Sequence, residues 1–371
     1  MDPQTQFCPN LACKARGQIG AGNIRIHCHK DGRYYCIVCK QRFTGTTDTL
    51  FYGLHHPFDR VVLVLTLLAN GCPLRAIVVA FQIDPRTVAT WLQRAGTQCQ
   101  RVHEQVVLAT PQELGQVQAD EIRVRAQRGV GWLAMAMAVP TRLWLGGVVG
   151  QHRDHVLVER LAAQVRACAL CRPILITFDG FRSYIQAFQH AFRSALPTGQ
   201  RGRPIQVTWP DVVLGQVVKR YVQRRVIAVE RYLLQGSQAV QERLLKQTQD
   251  GGVLNTAYIE RLNASFRACF APLVRRSRAA ACTTPTLTAG MYLLGCVHNF
   301  CRYHDSLALE LVLPHGRRWL RRTPAIAAQL TDHCWTMPEL LSYKLPPPAW
   351  EPPKRRGRPL KVVAEARAAW R

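Results

Sequence analysis

Acidic residues are scarce in this chain of 371 residues. Asp and Glu together number 23 against 49 Lys and Arg, a formal net charge of +26. Such a surplus disfavours cationic partners and favours a polyanion, nucleic acid or an anionic membrane surface. Long apolar runs are also missing. The best, Val61 to Ala69, is about half of the ~18 residues a spanning helix needs, and it contains Thr66. The start, Met1-Asp2-Pro3-Gln4, has neither the basic nor the apolar region of a signal peptide, which predicts a cytoplasmic protein with no membrane partner. At 48% apolar and 19% charged residues, the composition excludes a wholly disordered chain. Nucleic acid is therefore the expected partner, and few carboxylates are on hand for chemistry.

The chain is not short of cysteine: there are 14. Without a secretion signal they are expected to be reduced. Cys8 and Cys13, then Cys36 and Cys39, are spaced as two metal-binding knuckles that together offer the four thiolates Zn²⁺ prefers. Lys40 and Arg42 continue the second knuckle as cationic residues suited to DNA. A module of about 45 residues is too small to fold on apolar burial alone, so a structural zinc answers a stability need. The alternative is four unrelated buried thiols; His27, Cys28 and His29 are rival ligands. Cys168 and Cys171 lack a second pair and read as packing residues, as do the remaining cysteines.

After this zinc-ribbon-like module (1–50), residues 55–103 read as a helix-turn-helix DNA-binding domain. Phe58 to Ala69 and Leu74 to Phe81 have helical patterns. Asp84 can cap a third helix with Pro85 at its first position, ending at Gly96. Ile77, Val88 and Leu92 would face the core; Arg86, Thr87, Thr90 and Arg94 would face the major groove. The alternative is a plain helical bundle.

From Gln116 the periodicity changes. Val117 to Arg125, Gly131 to Val139 and Leu143 to Gly150 read as hairpin-connected strands, Asp154 to Ala169 as a helix, and Pro173 to Phe178 as a buried strand. Phe181 to Phe192 reads as a helix and Gln206 to Trp209 as a fifth strand. This is the order of a ribonuclease-H-like α/β fold, a mixed five-stranded sheet with flanking helices. Asp120 lies within the first strand and Asp179 ends the fourth. Adjacent strands would bring the two carboxylates to one edge, where a divalent cation relieves their repulsion. The bland alternative is a solvated Asp120 and a capping Asp179. Glu121 is assigned by alternation to the opposite face and left out of the site. Glu230, in strand-like surroundings, suits an Arg partner.

Four phrases then stand out together: Ala119-Asp120-Glu121, Thr177 to Tyr184, Asn255 to Asn263 followed by Phe266-Arg267, and Asn299 to His304. With the cysteine module ahead of them, the chain resembles bacterial insertion-sequence transposases of the Asp-Asp-Glu type over nearly its whole length. The resemblance implies a catalytic domain at 112–310 with Asp120, Asp179 and Glu260 as ligands for two Mg²⁺ (or Mn²⁺). It also implies an insertion at about 210–252, and Arg261 and Arg267 as DNA contacts. The implied activity is metal-dependent cleavage and strand transfer on double-stranded DNA, both transposon terminal inverted repeats and target, by a homo-oligomer in the bacterial nucleoid. A catalytically silent regulator and a structure-selective nuclease are the alternatives. Residues 311–350 read as an extension ending in a stiff Pro-rich linker. Residues 351–371 form a basic tail in which Arg356 and Arg358 resemble an AT-hook.

Overall fold

A computed structural model describes residues 2–126, 129–196, 202–223, 225–273, 283–313 and 316–352. Arg356 and Arg358 lie outside the described residues. Two units are distinguished: residues 1–48 together with the stretch from 344 onward, and residues 49–343.

In the first unit, β1 (Ile24–Cys28), β2 (Arg33–Cys36) and β3 (Arg42–Thr44) form an antiparallel meander. Ile24, Tyr34 and Phe43 supply its small apolar core, packed against Cys8, Cys13 and Cys36. The Pro-rich segment expected to be a linker is instead part of this unit. Arg16 donates to the carbonyls of Pro348 (2.7 Å) and Ala349 (3.1 Å), and Lys344 Nζ donates to Gln6 Oε1 (2.7 Å). Gly17 makes the close approach, with φ of +69°; a Cβ there would sit 2.4 Å from the Pro347 carbonyl oxygen. Proline stiffness gives the segment a fixed edge along which carbonyls can accept, rather than a spacer.

The second unit begins with α1 (Phe58–Ala69), α2 (Leu74–Phe81) and α3 (Pro85–Val102). Asp84 caps α3, accepting the Arg86 amide at 2.7 Å, and Ile77, Val88 and Leu92 are buried. Gly96 does not end the helix. It lies inside α3 where α8 (Thr284–Cys296) crosses, and a Cβ at 96 would fall 2.3 Å from the Ala289 Cα. The absence of a side chain serves a helix–helix approach, which looks like a stop signal in sequence.

The sheet follows. β4 (Gln116–Ala126), β5 (Gly129–Ala138) and β6 (Trp144–Gly150) are antiparallel neighbours. After α4 (His155–Cys168), β7 (Ile174–Phe178) lies parallel to β4. After α5 (Ser183–Ala191), a detached hairpin, β8 (Arg193–Leu196) and β9 (Ile205–Thr208), precedes β10 (Val212–Val222) and β11 (Arg225–Gln235). The main sheet is mixed and six-stranded, in the order β11-β10-β7-β4-β5-β6, with β10 parallel to β7. The expected five strands are thus corrected to six. Residues 206–209 are not the fifth strand; β10, placed by sequence in an insertion, is. Val212 to Val217 are six consecutive buried residues, the continuous burial of a parallel strand with both faces covered.

Strand alternation sets the two faces. Phe178 stacks on Tyr184 of α5 at 5.2 Å, whereas Leu175, on the other side of β7, packs with Leu244 and Leu245 of α6 (Gln238–Gln249). Next to α6 on that face lies α7 (Ala257–Cys269). Beyond α8 come a hairpin, β12 (Leu309–Leu313) and β13 (Gly316–Leu320), and two short helices, α9 (Pro324–Ala327) and α10 (Met337–Ser342). Among the described residues no helix is long and apolar enough to cross a membrane.

Candidate active site and metal centre

β7 ends at Phe178, opposite Ala119 of β4 and Gln216 of β10, while both neighbours run on. The sheet therefore opens into a cleft of about 540 Å³ beyond the end of β7. Asp179 follows β7 directly. Its Oδ1 accepts the Phe181 amide (2.9 Å), and its carbonyl accepts Gln216 Nε2 (3.1 Å), so the turn that carries it is fixed. Asp120 extends from β4 on the α7 face; its Oδ2 accepts Asn263 Nδ2 at 2.8 Å. Glu121 starts on the α5 face, where the Tyr184 hydroxyl donates to it at 2.9 Å. Both faces are within reach where β7 stops. Oxygens of Asp120, Glu121 and Asp179 lie within 4.8 Å of one another. The exclusion of Glu121 is corrected on this ground: its Cβ alternates as expected, but the neighbouring strand that would separate the faces has ended.

Glu260, in the first turn of α7, lines the same cleft, and its carboxylate accepts Thr256 Oγ1 (2.8 Å) and pairs with Lys219. It is not within the distance that gathers the other three acids. Arg153 pairs with Glu121 and, at 3.2 Å, with Asp179; its guanidinium lies 4.3 Å from the Phe181 ring centre. Burial, then the Asp179 charge, push Asp120 up to about 6. The same causes in the same order push Glu121 up to about 7, against the pull of Arg153. Glu230 has the Arg partner expected of it: Arg220 holds it through two 3.1 Å bonds.

Sequence reasoning missed Gln118. Fully buried and on the Asp120 face of β4, it accepts the Tyr258 and Ile259 amides, both at 3.0 Å, and donates to the Asn255 carbonyl at 2.8 Å. Thr256 makes no capping bond; Asn255 Oδ1 accepts the Ala257 amide (3.1 Å), and Gln118 supplies the partner of the next two amides from the sheet. Gln116 similarly accepts Thr248 Oγ1 of α6 at 2.7 Å. The signal was available: polar residues at 116, 118 and 120 of an otherwise apolar strand share one face.

The donor set of the cleft is all oxygen, the chemistry of Mg²⁺ or Mn²⁺. Oxygens gathered this closely are compatible with an octahedron whose opposite ligands stand ~4.2 Å apart at Mg–O near 2.1 Å. This acidic triad could hold a metal ion. A second lobe of about 710 Å³ shares the three acids and Arg267 and adds Arg123, Arg125 and Trp132.

In the first unit, Cys8, Cys13, Cys36 and Cys39 come together within the same 4.8 Å limit. Sγ–Sγ separations of 3.6 Å (Cys8–Cys39) and 3.8 Å (Cys13–Cys36) match the ~3.8 Å edge of a tetrahedron with Zn–S near 2.3 Å. Burial raises the Cys8 and Cys13 thiols; at Cys39 burial is outweighed by the Gln41 amide, Asn10 and neighbouring thiols, which bring it down to about 7. The four-cysteine group could bind a structural zinc. Cys28 stays outside it.

Of the expected DNA contacts, Lys40, Arg42, Arg86, Thr90 and Arg261 are exposed and Thr87 is half-buried. Arg94 is committed elsewhere: it donates to the Leu50 (3.2 Å) and Tyr52 (2.8 Å) carbonyls, bracing the segment ahead of α1. No protein-family model matches the chain, and no curated protein matches it significantly.

Proposed function

We propose that the protein belongs to the class of divalent-metal-dependent enzymes that break phosphodiester bonds in nucleic acid. Within that class, we infer a DNA transposase of the insertion-sequence kind, with a ribonuclease-H-like catalytic domain. The observation that carries the reading is the meeting of Asp120, Glu121 and Asp179 beyond the end of β7, with Glu260 lining the same cleft. The strand order supports it, since β6-β5-β4-β7-β10 is three antiparallel strands followed by two parallel ones. A divalent ion held there would supply charge to activate a nucleophile and stabilise a leaving oxygen. The chain's own residues do the rest. Gln118 and Asn263 tie β4 to α7 and so fix Asp120 relative to Glu260. Arg123, Arg125 and Arg267 in the adjoining lobe offer a path for a phosphate backbone. The four cysteines, holding zinc, would present Lys40 and Arg42 to terminal inverted repeats, with Arg86, Thr87 and Thr90 of α3 as base readers.

A second reading, a regulator that binds DNA without cutting it, is favoured by one observation. The acids already have basic partners, Arg153 for Glu121 and Asp179 and Lys219 for Glu260. Incubation with Mg²⁺ and duplexes bearing transposon ends separates the two. The expected outcome is strand cuts leaving 3′-hydroxyls and joined products, abolished by Asp120→Asn, Asp179→Asn or Glu260→Gln with DNA binding kept. Binding without cuts would establish the regulator; cuts without joining would establish a nuclease.

A further inference from the structure

Helix α7 has a second working face. Glu260, Asn263 and Arg267 turn toward the carboxylate cleft, whereas Tyr258, Arg261 and Ser265, at i, i+3 and i+7, line a separate pocket of about 240 Å³. Two more arginines, Arg142 and Arg302, complete its cationic lining, with His298 and His304 beside them and no carboxylate among the lining residues.

Two of these guanidiniums are built in. Arg142 sits in the β5–β6 turn at φ +57°, with its guanidinium 4.0 Å from the Tyr258 ring centre and its Nε donating to Ser306 Oγ at 3.3 Å. The turn is pinned by His298, whose Nε2 lies 3.0 Å from the Arg142 carbonyl oxygen. Arg302 donates to the Ala69 carbonyl (2.7 Å) and Asn70 Oδ1 (2.9 Å) at the end of α1. Arg261 is exposed and has no ion-pair partner among the described residues. The mutual strain is legible in the neighbours. Arg142 is pulled down by burial, which Tyr258 opposes and the Arg261 charge reinforces, and His304 by burial and then the Arg142 charge. Three like charges around one small cavity repel; Tyr258 partly offsets that of Arg142, and no carboxylate in the lining neutralises the rest. An anion would.

We propose that this pocket binds a phosphate group, supplied by the backbone of nucleic acid held by the protein. A phosphate carries more charge and more oxygens than a carboxylate, so it can meet Arg261 directly while answering the charge of Arg142 and Arg302, whose N–H groups are partly engaged by the protein. Ser306 and Tyr303 add neutral polar groups to the lining, while the Ser265 hydroxyl donates to the Arg261 carbonyl at 3.1 Å and so ties that residue to its helix. The choice of nucleic acid as the source rests on the function proposed above. The phosphate chemistry does not.

The experiment uses the full chain without divalent cations, so cleavage plays no part in it. Thermal melts with inorganic pyrophosphate are compared for wild type, Arg261→Ala, Ser265→Leu (which fills the pocket mouth without changing charge) and Arg318→Ala on exposed β13 as a charge control. Binding of a short duplex is measured against salt for the same four. Pyrophosphate should raise the melting temperature of wild type and Arg318→Ala but not of the two pocket variants. The log–log salt slope should fall by about 0.9 for Arg261→Ala relative to Arg318→Ala, the loss of one phosphate contact. Selective loss of pyrophosphate protection with equal salt slopes would overturn the nucleic-acid source and leave a free phosphorylated ligand. Equal behaviour of all four proteins in both arms would overturn the pocket. A protein that passes both arms yet never cuts DNA would refute the catalytic reading and keep this one.

Discussion

At the scale of single residues, the carboxylates of the cleft store the most chemistry. Asp120 and Glu121 take up protons more readily in the folded chain than in the unfolded one, where such groups titrate near 3.9 and 4.3. Their raised values, about 6 and about 7, therefore favour the fold at low pH, and that contribution is lost as pH rises through this window. A divalent ion competes with those protons. The increase in melting temperature on adding Mg²⁺ should be large at pH 8 and nearly absent at pH 5, as paired thermal melts would reveal. Glu121→Gln separates a ligand from a structural acid. The amide keeps the shape and can still meet Tyr184, so the metal-free variant should melt above wild type at pH 8, relieved of a buried charge. Its Mg²⁺ affinity should fall on the order of tenfold, about 1.4 kcal/mol. Unchanged affinity by calorimetry would return Glu121 to a structural role. Asp120 and Asp179 were legible in sequence because each sits where a strand pattern meets a polar residue. Glu121 was not, because alternation describes Cβ atoms, and a longer side chain escapes it where a neighbouring strand stops.

At the scale of elements, α7 depends on a residue 140 positions before Tyr258. Gln118→Leu leaves two helix amides and the Asn255 carbonyl without their buried partner, a loss of about 1–3 kcal/mol for an unsatisfied group. Denaturant titration should register that loss, and Mg²⁺ affinity should drop as well if Glu260 and Asn263 move with the helix. A stability loss with intact Mg²⁺ affinity would confine Gln118 to packing. The element patterns themselves were largely readable: α1, α2, α4, β4 to β7 and the capped start of α3 all follow from periodicity and turn residues. Two features were not. The fate of 206–222 depended on which segment β7 would accept as its partner, a long-range choice that local alternation does not encode. Gly96 reads as a terminator by propensity and acts as a contact surface, a distinction set by Ala289 on another helix.

At the scale of the whole molecule, +26 of net charge accompanies a sheet whose acids are concentrated at one opening. The cysteine unit is where sequence reasoning was most complete in its ligands and least complete in its extent. Its spacing announced four sulfurs, but hydrogen bonds from Arg16 and Lys344 to partners more than 300 residues away have no local pattern. Ending the chain at Tyr343 should leave the four sulfurs in place yet weaken the unit. Faster zinc loss to a chelator, and faster proteolysis between 1 and 48, are the expected readouts; identical rates would make the Pro-rich segment dispensable. The same arrangement bears on how the protein is made. A ribosome delivers Cys39 well before Pro348, with the whole of the second unit between them, so the cysteine module cannot close on its strap until residues 49–343 have been made. A chain cut short by a premature stop within 49–343 would carry the cysteine knuckles but never the strap, so a truncated product would be altered in a module far upstream of the cut.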